Sequence, residues 1–186
     1  MSSNFKFEFW YPNSIHGSHR SEVERFFNDI VASPIPFNAH ADAYCLVLVR
    51  SKKGDLIGAI AVQPEAPSHL DGSKDLSNGY NVEINFIAVA PTHRGKGLAR
   101  DLIRKGLRIV IENMRSVQGY PEYINGICTP DQTEFYRKLG FQVSNPGVPL
   151  PEELTPYVPE LADSYYTCSF WRVWDESALS WSRRLD

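Results

Sequence analysis

Residues 80–100 read YNVEINFIAVAPTHRGKGLAR, and this stretch decides the fold. Its first half is a strand, 80–90, in which Glu83 shares a face with Asn85, Ile87 and Val89 because strand side chains alternate. Pro91 stops the strand. A turn with Gly95 and Gly97 follows, and Leu98, Leu102, Ile103, Leu107, Val110, Ile111 and Met114 then recur at helical spacing over about 97–115. Two glycines let the backbone turn sharply and approach a ligand closely. The helix start adds unpaired N–H groups and the positive end of the dipole, which together suit phosphate oxygens. A P-loop needs GxxxxGK[ST], which is absent. A dinucleotide fingerprint needs a third glycine where Arg100 stands, and sits early in a parallel sheet rather than after strands that look antiparallel.

Working outward from that segment, the upstream chain supplies those antiparallel strands. Phe5, Phe7, Phe9 and Tyr11 alternate with Lys6, Glu8 and Trp10, a first strand. Ser21 and Glu24 form a capping-box pattern before Val23, Phe26, Phe27, Ile30 and Val31, predicting a helix near 22–32 that Pro34 ends. Residues 43–50 and 56–62 are apolar runs joined by SKKGD, a hairpin. Residues 64–79 read as a long polar loop. Downstream, 122–128 reads as a strand. Thr129, Pro130 and Gln132 take the N-cap, N1 and N3 positions of a short helix ending before Gly140. Residues 141–143 restart a strand, 144–163 form a Pro- and Glu-rich loop, and 165–174 make a last aromatic strand.

The central segment resembles the pyrophosphate loop of the GNAT superfamily of N-acetyltransferases, whose motif [RQ]xxGx[GA] falls here on Arg94, Gly97 and Ala99. A second block, EFYRKLGF at 134–141, resembles the family's FYxKLGF signature. The resemblance is close over 80–143. It implies one GNAT domain over residues 1–186, of α/β (α+β) class: a mixed, mostly antiparallel sheet of six to seven strands flanked by about four helices. It implies acetyl-CoA as co-substrate and a primary amine of a small molecule or peptide as acceptor. It assigns Ile87, Ala88 and Val89 to backbone pairing with the pantetheine arm, a form of strand augmentation. Gly95, Lys96, Gly97, Leu98, Ala99 and Arg100 are assigned, with Arg94, to the pyrophosphate. Lys96, Arg100, Arg104 and Arg108 share one helix face; the first two, near the helix start, are expected to contact the ligand and the last two to be solvated.

By the same resemblance Glu83 is the candidate general base, since an alkyl amine arrives protonated at pH 7. The plain alternative is a surface charge on a strand. Tyr136 is the candidate acid beside the leaving thiolate, against the plain alternative of a core aromatic. Thr129 stands where many members carry an Asn that contacts pantetheine; a Thr can still cap the helix. The other functional class compatible with these motifs is an acyl-CoA-binding module without catalysis.

Composition narrows the setting. The chain has 186 residues, 42% hydrophobic and 22% charged, with a formal net charge of −3, which points away from nucleic acid. Cys45, Cys128 and Cys168 are scattered, an arrangement that fits a reducing compartment. No apolar stretch suits a membrane span and the start lacks signal-peptide character, so a cytoplasmic protein is expected. The histidines, His16 and His19 included, show no metal spacing, and no metal is expected. A homodimer is left open. The GNAT resemblance implies that acceptor choice falls to 12–40 and 144–170. The flanking residue Asp42, with Glu152, Glu153, Glu160, Asp163, Tyr157, Tyr165 and Tyr166, would suit a cationic amine or would make an acidic solvated surface.

Overall fold

Seven strands lie in the order β1-β2-β3-β4-β5-β7-β6, and three α-helices accompany them among the described residues. The computed structural model describes residues 5–11, 14, 17–31, 37–39, 43–65, 79–114, 120–148, 151 and 168–174. The chain divides into two compact units, Met1–Gln63 with Ile84–Glu112, and Pro64–Glu83 with Asn113–Asp186.

In the first unit, β1 (Lys6–Trp10), β2 (Cys45–Arg50) and β3 (Leu56–Glu65) pair antiparallel in sequence order. The SKKGD hairpin closes with Ser51 N–H donating to Asp55 O and Gly54 N–H to Ser51 O. Helix α1 (Gly17–Ile30) buries Val23 and Phe27. They pack with Leu46 and Leu48 of β2, Ala59 and Ala61 of β3, and Ala88 of β4 (Tyr80–Val89). Phe27, Phe37 and Phe86 pack their rings there, tilted or edge to face, at centroid distances of 4.5 to 5.7 Å. Helix α2 (Leu98–Met114) covers the other face. A Cβ on Gly58 would meet Leu102 at 3.2 Å, and one on Gly106 would meet Ile60 and Val62 at 3.4 Å, so β3 and α2 pack closely through bare Cα atoms. With both faces covered, the β2 sequence CLVLV is apolar throughout rather than alternating.

Arg50 joins three elements of this unit. Its guanidinium donates to Glu22 Oε1 and Oε2 at 3.0 and 2.8 Å, to Glu8 Oε2 at 3.0 Å and to Gly54 O at 3.0 Å. Lys6, and Arg50 with it, hold Glu8 below the ordinary carboxylate range against the opposing effect of burial. Arg50 does the same for Glu22.

Helix α1 begins earlier than its sequence predicts. Ser21 lies inside it, its hydroxyl donating to Gly17 O at 3.4 Å, and Glu24 accepts from Ala39 N–H at 3.2 Å instead of capping. A capping-box pattern inside a helix is ambiguous when its Glu has a tertiary partner. His19, expected in a turn, is helical and stacks on Trp10 at 5.7 Å; His16, Pro34 and Asp42 lie outside the described residues.

In the second unit, β5 (Pro121–Cys128) pairs antiparallel with β7 (Cys168–Val173), from Tyr123 opposite Val173 to Cys128 opposite Cys168. β6 (Gln142–Val143) pairs antiparallel with β7. At the start of β4, Tyr80 N–H donates to Tyr120 O at 3.1 Å.

Helix α3 (Thr133–Lys138) follows a 3-10 turn over Pro130–Gln132. It ends at Gly140, φ +81°. Gly140 N–H donates to Arg137 O and Phe141 N–H to Tyr136 O, with the Phe141 and Tyr136 rings edge to face at 5.8 Å. This is a Schellman ending with its usual apolar contact, and it gives a physical reason for the block YRKLGF. The predicted loop acids Glu152, Glu153, Glu160 and Asp163, with Tyr157, Tyr165 and Tyr166, lie outside the described residues.

Candidate functional site

Strand β4 ends at Val89, a 3-10 turn occupies Pro91–His93, and α2 opens at Leu98. Gly95 and Gly97 take φ of +75° and +78°, a region costly for other residues. A Cβ on Gly95 would meet nothing within 4 Å, and one on Gly97 only the Arg100 guanidinium at 3.5 Å. Packing does not explain these glycines; backbone conformation does. Arg94 turns its side chain back and donates from Nε to Val89 O at 3.1 Å, tying the loop to the strand that precedes it. Lys96 Nζ donates to Thr92 O at 3.3 Å. Asp101 N–H is the first to find an acceptor of the α2 ladder, at Gly97 O. Helix geometry leaves the N–H groups of Leu98, Ala99 and Arg100 without intrahelical acceptors.

Arg100 and Arg104 of α2 are alike in exposure and both approach Asp101. Arg104 lies 3.7 Å from Asp101 and Arg108 pairs with Glu112 at 2.7 Å. Arg100 is half-buried, and its Nε is buried without a hydrogen-bond partner, 3.7 Å from Asp101 Oδ1. Leu98 is buried, as are Ala88 and Val89; Ile87 is half-buried. Ile87 through Arg100 therefore form one continuous strand, turn and helix within the first unit.

Glu83, Thr129 and Tyr136 belong to the second unit. Glu83 is half-buried on β4. Thr129 caps the Pro130–Gln132 turn: its N–H donates to Gln132 Oε1 at 3.4 Å, and its hydroxyl donates to the Asp131 carboxylate. The Tyr136 ring is 2% exposed and lies flat on Phe170, centroids 3.8 Å apart and planes 14° apart. No described residue bonds its hydroxyl. Burial, with a smaller contribution from Cys128, pushes the phenol well above its usual range. The Cys128 thiol is itself pushed up to about 12 by burial. No group of three His, Cys, Asp or Glu among the described residues could hold a metal.

A family model described as the acetyltransferase (GNAT) domain matches residues 41–143. The chain belongs to the GNAT acetyltransferase family. Solved structures repeat the GNAT fold. Arabidopsis thaliana Naa50 in complex with the bisubstrate analogue CoA-Ac-MVNAL has a TM-score of 0.52 at 18% identity, over 88% of this chain and 97% of that one. Arabidopsis thaliana NAA60 in complex with a bisubstrate analogue has 0.58 at 14%, over 90% and 98%. Escherichia coli YhbS in complex with CoA has 0.56 at 15%, over 95% and 84%. No curated protein matches the sequence.

Two features of this GNAT chain escaped the sequence. The return of Arg94 to Val89 O leaves no periodic signal. Asn81, on β4, is wholly buried with neither Nδ2 nor Oδ1 bonded; only its polarity within an apolar strand could have flagged it.

Proposed function

We propose that the chain transfers an acetyl group from acetyl-CoA to a primary amine, as a single GNAT domain over residues 1–186. The observation that carries this reading is the β4–turn–α2 unit, where two positive-φ glycines bring bare backbone N–H groups to a helix start. Such a start favours anionic oxygens by both its N–H groups and its dipole. In this reading Gly95 to Arg100 hold the pyrophosphate, with Lys96 and Arg100 adding charge and Arg94 bracing the loop. Ile87, Ala88 and Val89 pair by backbone with the pantetheine arm, and Thr129 contacts it once its hydroxyl leaves Asp131.

Glu83 takes the proton of the incoming ammonium. An alkyl amine of pKa near 10.4 is free in only about four molecules in ten thousand at pH 7, and a peptide amino end of pKa about 7.7–8.0 in about one to two in ten, so a base matters most for the alkyl amine. Tyr136 serves the leaving sulfur. Its raised pKa keeps the phenol protonated, and its hydroxyl is not committed to a described residue, so it can donate a hydrogen bond to the developing thiolate. A thiol is ordinarily more acidic than this phenol, so the donated hydrogen bond is the larger part of that role. Two of the fold relatives were solved with bisubstrate analogues, one carrying the peptide letters MVNAL. A peptide amino end is therefore the first acceptor to test, beside small amines. The three described thiols are free and buried, which suits a reducing cytoplasm.

The test joins binding and rate. Acetyl-CoA at millimolar concentration should raise the melting temperature, and an amine panel should release free CoA. Glu83→Gln should keep the melting shift and lose about 10²- to 10⁴-fold in rate at pH 7. That loss should shrink as pH approaches the amine pKa. Wild-type activity across pH in this variant would remove Glu83 from the mechanism; a melting shift by ATP or NAD in place of acetyl-CoA would sink the whole reading.

A further inference from the structure

Asn81 is 0% exposed, and neither its Nδ2 nor its Oδ1 has a hydrogen-bond partner. An unmade bond on a buried polar group is destabilising, and a carboxamide has two donors and an acceptor oxygen to satisfy. Proteins meet such demands with internal water, which makes two to four bonds to otherwise unsatisfied groups. Asn81 is not at random among apolar neighbours. Tyr80, Val82, Ile84 and Phe86 fill one side of β4, while Asn81, Glu83 and Asn85 alternate with them on the other. Residues two apart on a strand face stand about 6.6–6.8 Å apart. That spacing leaves room for one water between the two side-chain ends.

We propose that Asn81 is a positioning residue for Glu83: its carboxamide binds internal water, and that water donates a hydrogen bond to the Glu83 carboxylate. The proposal rests on the reading of Glu83 as base and gives that base its surroundings. Asn81 Nδ2–H donates to the water oxygen, and the water's hydrogen goes on to the carboxylate. A second water can donate to Oδ1. Such a bond favours the charged carboxylate and lowers its pKa, offsetting the effect of half-burial. It adds to the contacts that Glu83 already makes. On the strands beside β4 in this unit the charged groups are Glu65, at the end of β3, and Glu122 of β5, whose Oε1 would lie 2.5 Å from a Cβ on Gly79; Arg172, one strand further on β7, donates to Leu139 O. Tyr80 of β4 and Tyr123 of β5 are the phenols on these strands. None of these is altered by a change at position 81.

The experiment is a carbon-detected NMR titration of the glutamate carboxyls in the unliganded full chain, with Glu83 assigned through Glu83→Gln. Asn81→Leu matches the shape of asparagine without its polar atoms, and should raise the Glu83 pKa by about one unit. Asn81→Ser keeps a hydroxyl able to hold the water and should leave Glu83 near its wild-type value. If leucine upsets the strand, Asn81→Val removes the same groups with a strand-favouring side chain. In turnover, the acid limb of kcat/KM should move up by the same amount in Asn81→Leu while KM for acetyl-CoA stays put. An unmoved Glu83 in both apolar variants overturns the proposal, as does an equal rise in Asn81→Ser, or a shift confined to Glu122. The titration reads Glu83 directly, so it decides the water whether or not Glu83→Gln is inactive; the activity of Glu83→Gln alone decides the base.

Discussion

The ring of Tyr136 lies flat against Phe170 while its hydroxyl makes no bond to a described residue, so the two ends of this side chain can be tested apart. Tyr136→Phe keeps the ring, and with it the stacking and the contact that closes the Schellman turn. Its melting temperature and acetyl-CoA affinity should match the wild type, while the rate falls by about 10²-fold or more. That defect should persist at high pH, where a base is no longer needed, because it concerns the departing sulfur. Tyr136→Ala should unfold more easily by about 3–5 kcal/mol, the usual loss for a large buried aromatic. Kinetics and melting of both variants, side by side, check this; an active Tyr136→Phe would leave the ring as pure core. The motif made Tyr136 legible in the sequence. Its partner Phe170 was not, because an aromatic strand carries no mark of which ring it stacks on.

Strand β4, its turn and α2 work as one element, and the phosphate-binding assignment stands or falls with the turn. Gly97→Glu puts a side chain on a residue with φ +78°, at about 1–2 kcal/mol for the left-handed conformation, and sets a negative charge at the helix start. The expected result is a folded protein with a modestly lowered melting temperature and no heat of CoA binding in calorimetry. Wild-type affinity would move the pyrophosphate elsewhere. This element was the most legible in the chain, because a strand, a stop and a broad helical face follow one another without ambiguity. The predicted 97–115 became Leu98–Met114. Helix α1 was less so. Its start was read from Ser21 and Glu24, and the sequence could not show that Glu24 is taken by Ala39 N–H.

At the scale of the molecule, stability should fall in acid for a stated reason. Glu8 and Glu22 titrate below the ordinary range in the folded chain. Their contribution is complete above the unfolded value, about 4.3, and is lost as pH falls through the depressed folded values. Arg50→Met should cost about 1–3 kcal/mol at pH 7, the buried-pair loss discounted for the partial exposure of Glu22. It should also flatten the decline of stability between about pH 5 and pH 3. Urea midpoints measured across that range check both; an unchanged slope would separate the acid response from this cluster. None of it was legible beforehand. Glu8 and Glu22 each read as an ordinary polar position, and only the pairing of β1 with β2 and the docking of α1 bring them to one guanidinium.

Gly58 and Gly106 let β3 and α2 approach through bare Cα atoms, and this sets a tolerance on how the protein can drift in sequence. A single methyl at Gly58 must displace Leu102, because 3.2 Å is shorter than an ordinary carbon contact. The helix that would yield is the one whose first turn we assign to the phosphates. A neutral-looking change in the core, far from any ligand atom, would thus be paid in affinity as well as in melting temperature. Lineages that substitute this position would be expected to carry a smaller residue at 102 in compensation.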